Sequence, residues 1–105
     1  MEFIETPIFT KRIREIITDE EYRSLQTALV KNPKVGALIP GGKGLRKIRW
    51  AIRGKGKSGG IRVIYYLYLS DDKIYMLFPY RKSDQGDLTT EQTKILIDFV
   101  KEGVL

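Results

Sequence analysis

The chain has 105 residues, 42% of them apolar and 30% charged, and its formal net charge at pH 7 is +6. This length and composition predict one folded domain, residues 1–105, around one hydrophobic core, and argue against disorder. Cysteine and histidine are both absent, which excludes disulfides, thiolate nucleophiles, Cys/His metal sites and every catalytic arrangement that needs a histidine.

The first third of the chain predicts a short strand followed by two helices. Residues 2–5 are predicted to form an edge strand, and Thr6 followed by a proline is a typical helix start, so a helix is predicted over 7–17. Thr18–Glu21 has the capping-box pattern, in which the threonine accepts from a first-turn N–H and the glutamate reaches back. It opens a second helix, which is predicted to end near residue 31 because a proline follows.

The middle of the chain predicts a loop and then an antiparallel three-strand meander. Residues 34–44 are rich in glycine and therefore predict a loop. Apolar and cationic residues alternate along 45–53, which predicts a strand with one apolar and one cationic face. A glycine- and lysine-rich connector at 54–60 leads to a strand at 61–69, and a turn leads to the last strand at 73–80.

A helix is predicted at the end of the chain. Thr89–Gln92 repeats the capping-box pattern, and an apolar stripe follows at Ile95, Leu96, Phe99 and Val100. The predicted order is therefore β-α-α-β-β-β-α. This is an α+β fold, an antiparallel sheet packed on two N-terminal helices plus a C-terminal helix, with the helices expected on one face of the sheet.

Charge is distributed unevenly along the chain. Residues 22–70 contain no aspartate or glutamate but carry eleven lysines and arginines. A cationic surface of this density favours a polyanion such as nucleic acid as partner. The alternative is a solvated basic face that only keeps the protein soluble.

The glycine-rich connector is the best candidate for contact with a phosphate. Glycines allow a backbone to approach a phosphate closely, and the neighbouring lysines neutralise its charge. Lys57-Ser58 is followed by two glycines and a predicted strand, not by a helix. The run is therefore not an ATP-binding P-loop.

Cationic side chains around this connector have the functional groups needed to cleave RNA without a metal. Attack by the ribose 2′-OH needs a proton acceptor, a proton donor and positive charge on the phosphate. Crowding among like charges favours the neutral form of a lysine, so one of Lys55, Lys57 and Lys82 is a candidate base. Arg62, on a strand, is the candidate for holding the phosphate oxygens. The alternative is a flexible connector whose lysines are only solvated.

Further candidates lie at the end of the last predicted strand. Tyr80, beside Arg81 and Lys82, is the best candidate for stacking on a nucleobase. The alternative is that it packs in the core or at its rim, as aromatic residues in strands usually do. Asp84 and Asp87 in the following turn are either solvated turn residues or carboxylates that orient a lysine.

The combination of these segments resembles a known family. The residues that carry the resemblance are Leu45–Arg49 (LRKIR), Lys55–Gly60 (KGKSGG), Arg62–Tyr66 (RVIYY) and Asp87–Thr89 (DLT). Over nearly the whole chain they resemble the RelE/ParE superfamily of bacterial toxins, most closely its HigB branch. The resemblance implies a RelE-like fold and a toxin that enters the A site of the 30S ribosomal subunit and cleaves the bound mRNA. It also implies neutralisation by a cognate HigA-like antitoxin, and no metal or small-molecule cofactor is expected.

The resemblance also assigns roles to individual residues. By position, the catalytic residues are Lys55, Lys57, Arg62 and Lys82. The residues expected to hold RNA are Arg46, Lys47, Arg49, Arg53, Tyr80 and Arg81. Near the start of the last helix, relatives often carry an arginine and a tyrosine, or in some HigB members a histidine, where this chain has Ser83, Asp87 and Leu88.

Two alternatives to an endoribonuclease are a non-catalytic toxin of the ParE type, which poisons DNA gyrase, and a plain RNA-binding module. ParE-like relatives generally lack the basic set that this chain retains, which favours the nuclease.

No apolar run approaches the roughly 20 residues that span a bilayer, and the first residues lack the basic segment of a secretion signal. We therefore expect a cytoplasmic protein without membrane contact.

Overall fold

The computed structural model describes residues 1–52 and 56–104, with the backbone alone at 56–59. Its helices are α1 (Pro7–Ile16), α2 (Asp19–Lys31) and α3 (Thr90–Gly103). Its strands are β1 (Glu2–Glu5), β2 (Ala37–Leu38), β3 (Leu45–Ile52), β4 (Gly56–Tyr68) and β5 (Lys73–Arg81), and a short 3-10 turn, Leu69–Asp71, joins the last two. The predicted α+β class and the C-terminal helix are confirmed.

The strands form one five-stranded sheet in the order β1-β5-β4-β3-β2. The predicted meander is confirmed, because β3, β4 and β5 pair in antiparallel succession. β1 is an edge strand, as predicted, and pairs in parallel with β5. The opposite edge, β2, lies within the predicted loop and pairs with β3. Two residues are too short to produce a recognisable alternation in the sequence.

The connector between β3 and β4 is shorter than predicted, because β4 begins at Gly56 and not at about residue 61. Ile52 already pairs with Gly56 across the hairpin. A Cβ added to Gly60 would lie only 2.1 Å from the backbone oxygen of Trp50. Gly60 is therefore required for close pairing of the two strands.

Helices α1 and α2 pack on one face of the sheet, and their starts follow the predicted caps. The Thr6 side chain accepts a hydrogen bond from the Phe9 N–H and donates one to the Leu77 carbonyl at 2.9 Å, which ties α1 to β5. Both bonds of the Thr18–Glu21 capping box are present. The buried residues of this layer are Phe9, Ile13, Ile17, Leu25, Leu29, Ile48, Ile61, Val63, Tyr65, Ile74 and Met76.

The expectation that all helices share one face is wrong, because α3 packs on the opposite face. The buried residues there are Leu45, Ile64, Leu77, Tyr80, Leu96 and Val100. Consecutive residues such as Ile64 and Tyr65 are both fully buried, so β4 is covered on both sides. Residues 61–65 are a continuous run of buried positions around one arginine, and such a run is the pattern of a strand between two layers.

In the described part of the chain, no helix is both long enough and apolar enough to cross a membrane.

Candidate functional site

Cationic side chains from adjacent strands meet on the sheet face that α3 partly covers. Arg49 of β3 pairs directly with Arg62 of β4, and Arg62 pairs directly with Tyr80 of β5. Directly opposed residues of antiparallel strands lie on the same face, with Cβ atoms about 5 Å apart. Lys47 lies two residues before Arg49 and therefore on the same face. We call Lys47, Arg49 and Arg62 the cationic row.

Arg62 lies at the centre of this row and is only 5% exposed. Its guanidinium donates a hydrogen bond to the Ile61 carbonyl at 3.2 Å. An arginine retains its charge even when buried, and its planar fork matches the oxygens of a phosphate. The fold therefore places a permanent positive charge, with little freedom to move, beneath the sheet surface.

Tyr80 is fully buried next to Arg62. Its ring packs against Phe78, with the centroids 6.2 Å apart. Among the described residues, its hydroxyl makes no hydrogen bond of acceptable geometry. The expected stacking on a nucleobase does not fit this placement, because neither face of the ring is accessible.

Three influences act on the Tyr80 hydroxyl. Burial raises its pKa most, the nearby Asp87 carboxylate raises it further, and the Arg62 charge opposes both, for a result of about 12. The hydroxyl is therefore protonated at neutral pH. It lies close to two charged side chains, the Asp87 carboxylate and the Arg62 guanidinium.

Asp87 lies close to Tyr80 and to Lys47 of the cationic row. Its carboxylate accepts hydrogen bonds from Lys47 Nζ at 3.1 Å and from the Leu88 N–H at 2.8 Å. These contacts, above all the one from Lys47, hold the pKa of Asp87 below its usual value, and the nearby charge of Lys82 adds to the effect. Of the two readings of the turn, the structure places Asp87 as a carboxylate that orients a lysine. Asp84 contacts Arg81 at 3.5 Å.

Lys82 also lies at this end of β5, where its ammonium donates a hydrogen bond to the Gly86 carbonyl at 2.6 Å. The remaining predicted catalytic residues cannot be placed as fully. Lys57 lies on β4, but its side chain is outside the described part of the structure. Arg53 and Lys55 lie outside the described residues altogether.

Two of the residues expected to hold RNA do not reach this face. Arg46 donates hydrogen bonds to the carbonyls of Lys34 and Gly36, at 3.2 and 2.7 Å. Arg81 donates one to the Glu15 carbonyl at the end of α1, at 3.0 Å. Both arginines hold backbone segments together, because each is one residue out of phase with the cationic row.

The sequence interpretation missed the role of the Tyr80 hydroxyl. It included Asp87 as a carboxylate that orients a lysine, but it did not identify Lys47 as the partner. Asp87 and Lys47 are 40 positions apart in the chain, and no local pattern joins them. Within the described residues, no group of acidic side chains is placed to hold a metal ion.

A family model described as the RelE toxin of the RelE/RelB toxin–antitoxin system matches residues 4–102. The chain belongs to the RelE toxin family. It is accordingly a toxin of a toxin–antitoxin system, and an antitoxin partner and a ribosomal target come with that family in general. RelE toxins are generally endoribonucleases.

Proposed function

We propose that this RelE toxin belongs to the HigB branch and is a ribosome-dependent, metal-independent mRNA endonuclease. In this proposal it cleaves mRNA in the A site of the 30S subunit and so inhibits translation. The observation that supports it most strongly is the placement of Arg62. A nearly buried guanidinium lies there at the centre of the cationic row and directly opposite a buried tyrosine. A phosphodiester bound there would make use of both groups.

The proposed reaction is attack of the ribose 2′-oxygen on the neighbouring phosphorus atom. The new P–O bond forms while the bond to the 5′-oxygen breaks, so the products end in a 2′,3′-cyclic phosphate and a 5′-OH. Arg62 holds the non-bridging oxygens and compensates the charge that develops on them. Arg49, the cross-strand neighbour of Arg62, adds a second positive charge at the same phosphate.

Two proton transfers accompany this step. The Tyr80 hydroxyl, protonated at neutral pH, is the proposed donor to the leaving 5′-oxygen. The proposed acceptors of the 2′-OH proton are the lysines Lys55, Lys57 and Lys82. Each positioned acid or base typically contributes about 10² to 10⁴-fold to the rate.

The proposal also covers the residues that bind the RNA, the antitoxin and the place of action. Lys47, Arg49 and Arg53 are proposed to hold the mRNA backbone along the sheet. A HigA-like antitoxin would neutralise the toxin by covering or distorting the cationic row, for which an acidic segment is the complementary chemistry. The proposed place of action is the cytoplasm, where ribosomes translate.

Primer extension on a translating ribosome, with and without the protein, tests the proposal. The wild-type protein should produce new cuts within the codon in the A site. Arg62→Ala should reduce cutting by about 10² to 10³-fold, the usual effect of removing one group that stabilises the transition-state charge. Cutting by Arg62→Ala at the wild-type rate would reject the assigned role.

Arg23→Ala is the matched control, because Arg23 is an exposed arginine of α2, on the opposite side of the sheet. It removes the same charge from the protein and should cut like the wild type. If the wild-type protein binds RNA without producing cuts, a plain RNA-binding module replaces the nuclease. A supercoiling defect without RNA cleavage would instead indicate a gyrase inhibitor of the ParE type.

A further inference from the structure

A wide cleft of about 620 Å³ lies beside the cationic row, between the segment 39–43 and the first turns of α3. Its apolar wall comes from Ile39, Leu88 and Ile97. The hydroxyl-bearing residues Thr90 and Thr93 line it as well. An open cleft with an apolar wall and polar groups around it suits a flat, partly polar ligand.

The cleft is continuous with the candidate phosphate site through Asp87. The Asp87 side chain lines the cleft and also binds Lys47, the end of the cationic row. Lys47 and Arg49 are two residues apart on one strand, which corresponds to about 7 Å. An RNA strand whose phosphate lies on Arg49 and Arg62 therefore has its next nucleotide at the mouth of the cleft.

The charges around the cleft fit a nucleotide better than an apolar peptide. Lys43 and Lys94 supply cations for a flanking phosphate. Lys43 is presented from a turn in which its own φ is +52° and those of Gly41 and Gly44 are +70° and +102°. Asp87 and Asp98 supply acceptors on the same surface. An ionised carboxylate only accepts hydrogen bonds, so it favours bases that carry an exocyclic amino group.

We propose that this cleft receives the nucleobase next to the cleaved phosphate, and that Asp98 and Thr93 make cleavage depend on which base it is. The inference rests on the proposed nuclease function and adds its specificity-determining residues. Adenine, cytosine and guanine can donate an amino N–H to the Asp98 carboxylate, whereas uracil has no amino group to donate. Cutting should therefore be favoured at sites that place an amino-bearing base in the cleft.

Sequencing the cut ends of mRNAs translated in vitro tests this proposal with two variants and two matched controls. Asp98 is exposed, so Asp98→Asn should not disturb the fold. It should lower the ratio of cutting at amino-bearing bases to cutting at uracil by about tenfold, the effect of losing one charge-assisted hydrogen bond. Glu102→Gln, one turn further along the same helix and outside the cleft, should leave the ratio unchanged.

Thr93→Trp should fill the cleft and reduce cutting by about 10²-fold, because a displaced base misaligns the phosphate. Thr27→Trp is its control. Both threonines lie on helices and donate a hydrogen bond to the carbonyl four residues earlier, at 3.0 Å, but Thr27 is on α2 and far from the cleft. Wild-type cut profiles for both Asp98→Asn and Thr93→Trp would overturn the proposal and leave the nuclease function intact.

Amide NMR with four non-cleavable trinucleotides separates the cleft from the nuclease activity. Shifts at Thr93, Lys94 and Ile97 that depend on the base support the cleft, even if the wild-type protein cuts nothing and the proposed function is wrong. If nothing is cut and these amides do not shift, both proposals are wrong. If the antitoxin moves these amides and RNA does not, the cleft is a protein-docking surface and the inference is overturned.

Discussion

Arg62 and Tyr80 are neighbouring buried side chains on adjacent strands. The guanidinium is almost completely buried and the hydroxyl completely so, on directly opposed positions of β4 and β5. The fold thus holds a permanent positive charge and a hydroxyl side by side beneath the surface of the sheet.

Tyr80→Phe separates this catalytic role from a structural one. Since the hydroxyl makes no hydrogen bond to the described residues, its removal should leave the free energy of unfolding unchanged or raise it by up to about 1 kcal/mol. Cleavage should fall by about 10²-fold, the lower limit for the loss of an acid. Urea unfolding and single-turnover cleavage measure the two effects.

Tyr65→Phe is the control for this substitution and should behave in the opposite way. The Tyr65 hydroxyl donates a hydrogen bond to the Pro33 carbonyl at 2.7 Å and accepts one from the Gly36 N–H at 2.9 Å. Its loss should cost about 1 to 3 kcal/mol of stability, with cleavage unchanged per folded molecule. Equal effects of the two variants on cleavage would contradict the role of Tyr80.

Asp87→Asn should strengthen RNA binding and lower the pKa of Tyr80 below about 12. The carboxylate both occupies Lys47 and raises the pKa of the neighbouring hydroxyl. Binding of a non-cleavable RNA and NMR titration of labelled tyrosine would measure these changes. An unchanged RNA affinity would mean that the Lys47 pair does not compete with phosphate.

For single residues, the sequence predicted the direction of the cationic side chains more reliably than the groups that they contact. Strand alternation predicted the shared face of Lys47 and Arg49, whereas the pairing of Arg49 with Arg62 depends on the register between β3 and β4. Core packing was the alternative interpretation of Tyr80, and the sequence did not decide between the two because the burial depends on α3 covering the end of β5. Alternation also explains why Arg46, adjacent to Lys47, instead binds backbone carbonyls.

The elements of this fold differ in how strongly their own sequence determines them. The capping boxes at Thr18 and Thr89 are local patterns, and both form with the predicted partners. The two-residue strand β2 exists only through its pairing with β3. The sheet face on which α3 packs depends on apolar positions spread over β3, β4 and β5. Only half of its predicted apolar stripe is buried, since Ile95 and Phe99 remain exposed.

Gly60→Ala should destabilise the β3–β4 hairpin. An added methyl group would overlap the Trp50 carbonyl oxygen at 2.1 Å, and overpacking of this kind typically costs about 1 to 3 kcal/mol. Gly86→Ala is the control, because its added Cβ would meet nothing closer than the Lys82 ammonium at 3.9 Å. Urea unfolding should distinguish the two variants, and equal midpoints would show that the hairpin adapts without cost.

For the whole molecule, the tyrosines determine how stability depends on alkaline pH. The pKa values of Tyr22, Tyr65 and Tyr80 are all raised above 10, first by burial. For Tyr22, the hydrogen bond that its hydroxyl donates to the Glu5 carboxylate at 2.7 Å adds to the effect. In each case the folded state holds the proton more tightly than the unfolded chain does.

The free energy of unfolding should therefore decline as the pH rises above about 10. Groups with a raised folded-state pKa contribute stability that is fully present below the unfolded value and is lost as the pH passes the folded value. For Tyr80 that window runs from 10 to about 12. Urea unfolding across this range measures the slope, and Tyr22→Phe should make it shallower. A Tyr22→Phe slope equal to that of the wild type would contradict the assignment.

The asymmetry of charge also acts at the scale of the molecule, because the acid-free stretch 22–70 supplies β3 and β4. The fold places Lys47, Arg49 and Arg62 of that stretch together on one face of the sheet.

The central claim is that this face binds the phosphate that is cleaved, with the ribose 2′-OH as nucleophile. The chemistry of the RNA ends tests this most directly. Cuts made on translating ribosomes should leave a 2′,3′-cyclic phosphate and a 5′-OH, and should fall by about 10² to 10³-fold with Arg62→Ala but not with Arg23→Ala. Ends carrying a 3′-OH and a 5′-phosphate, or cutting by Arg62→Ala at the wild-type rate, would contradict the account.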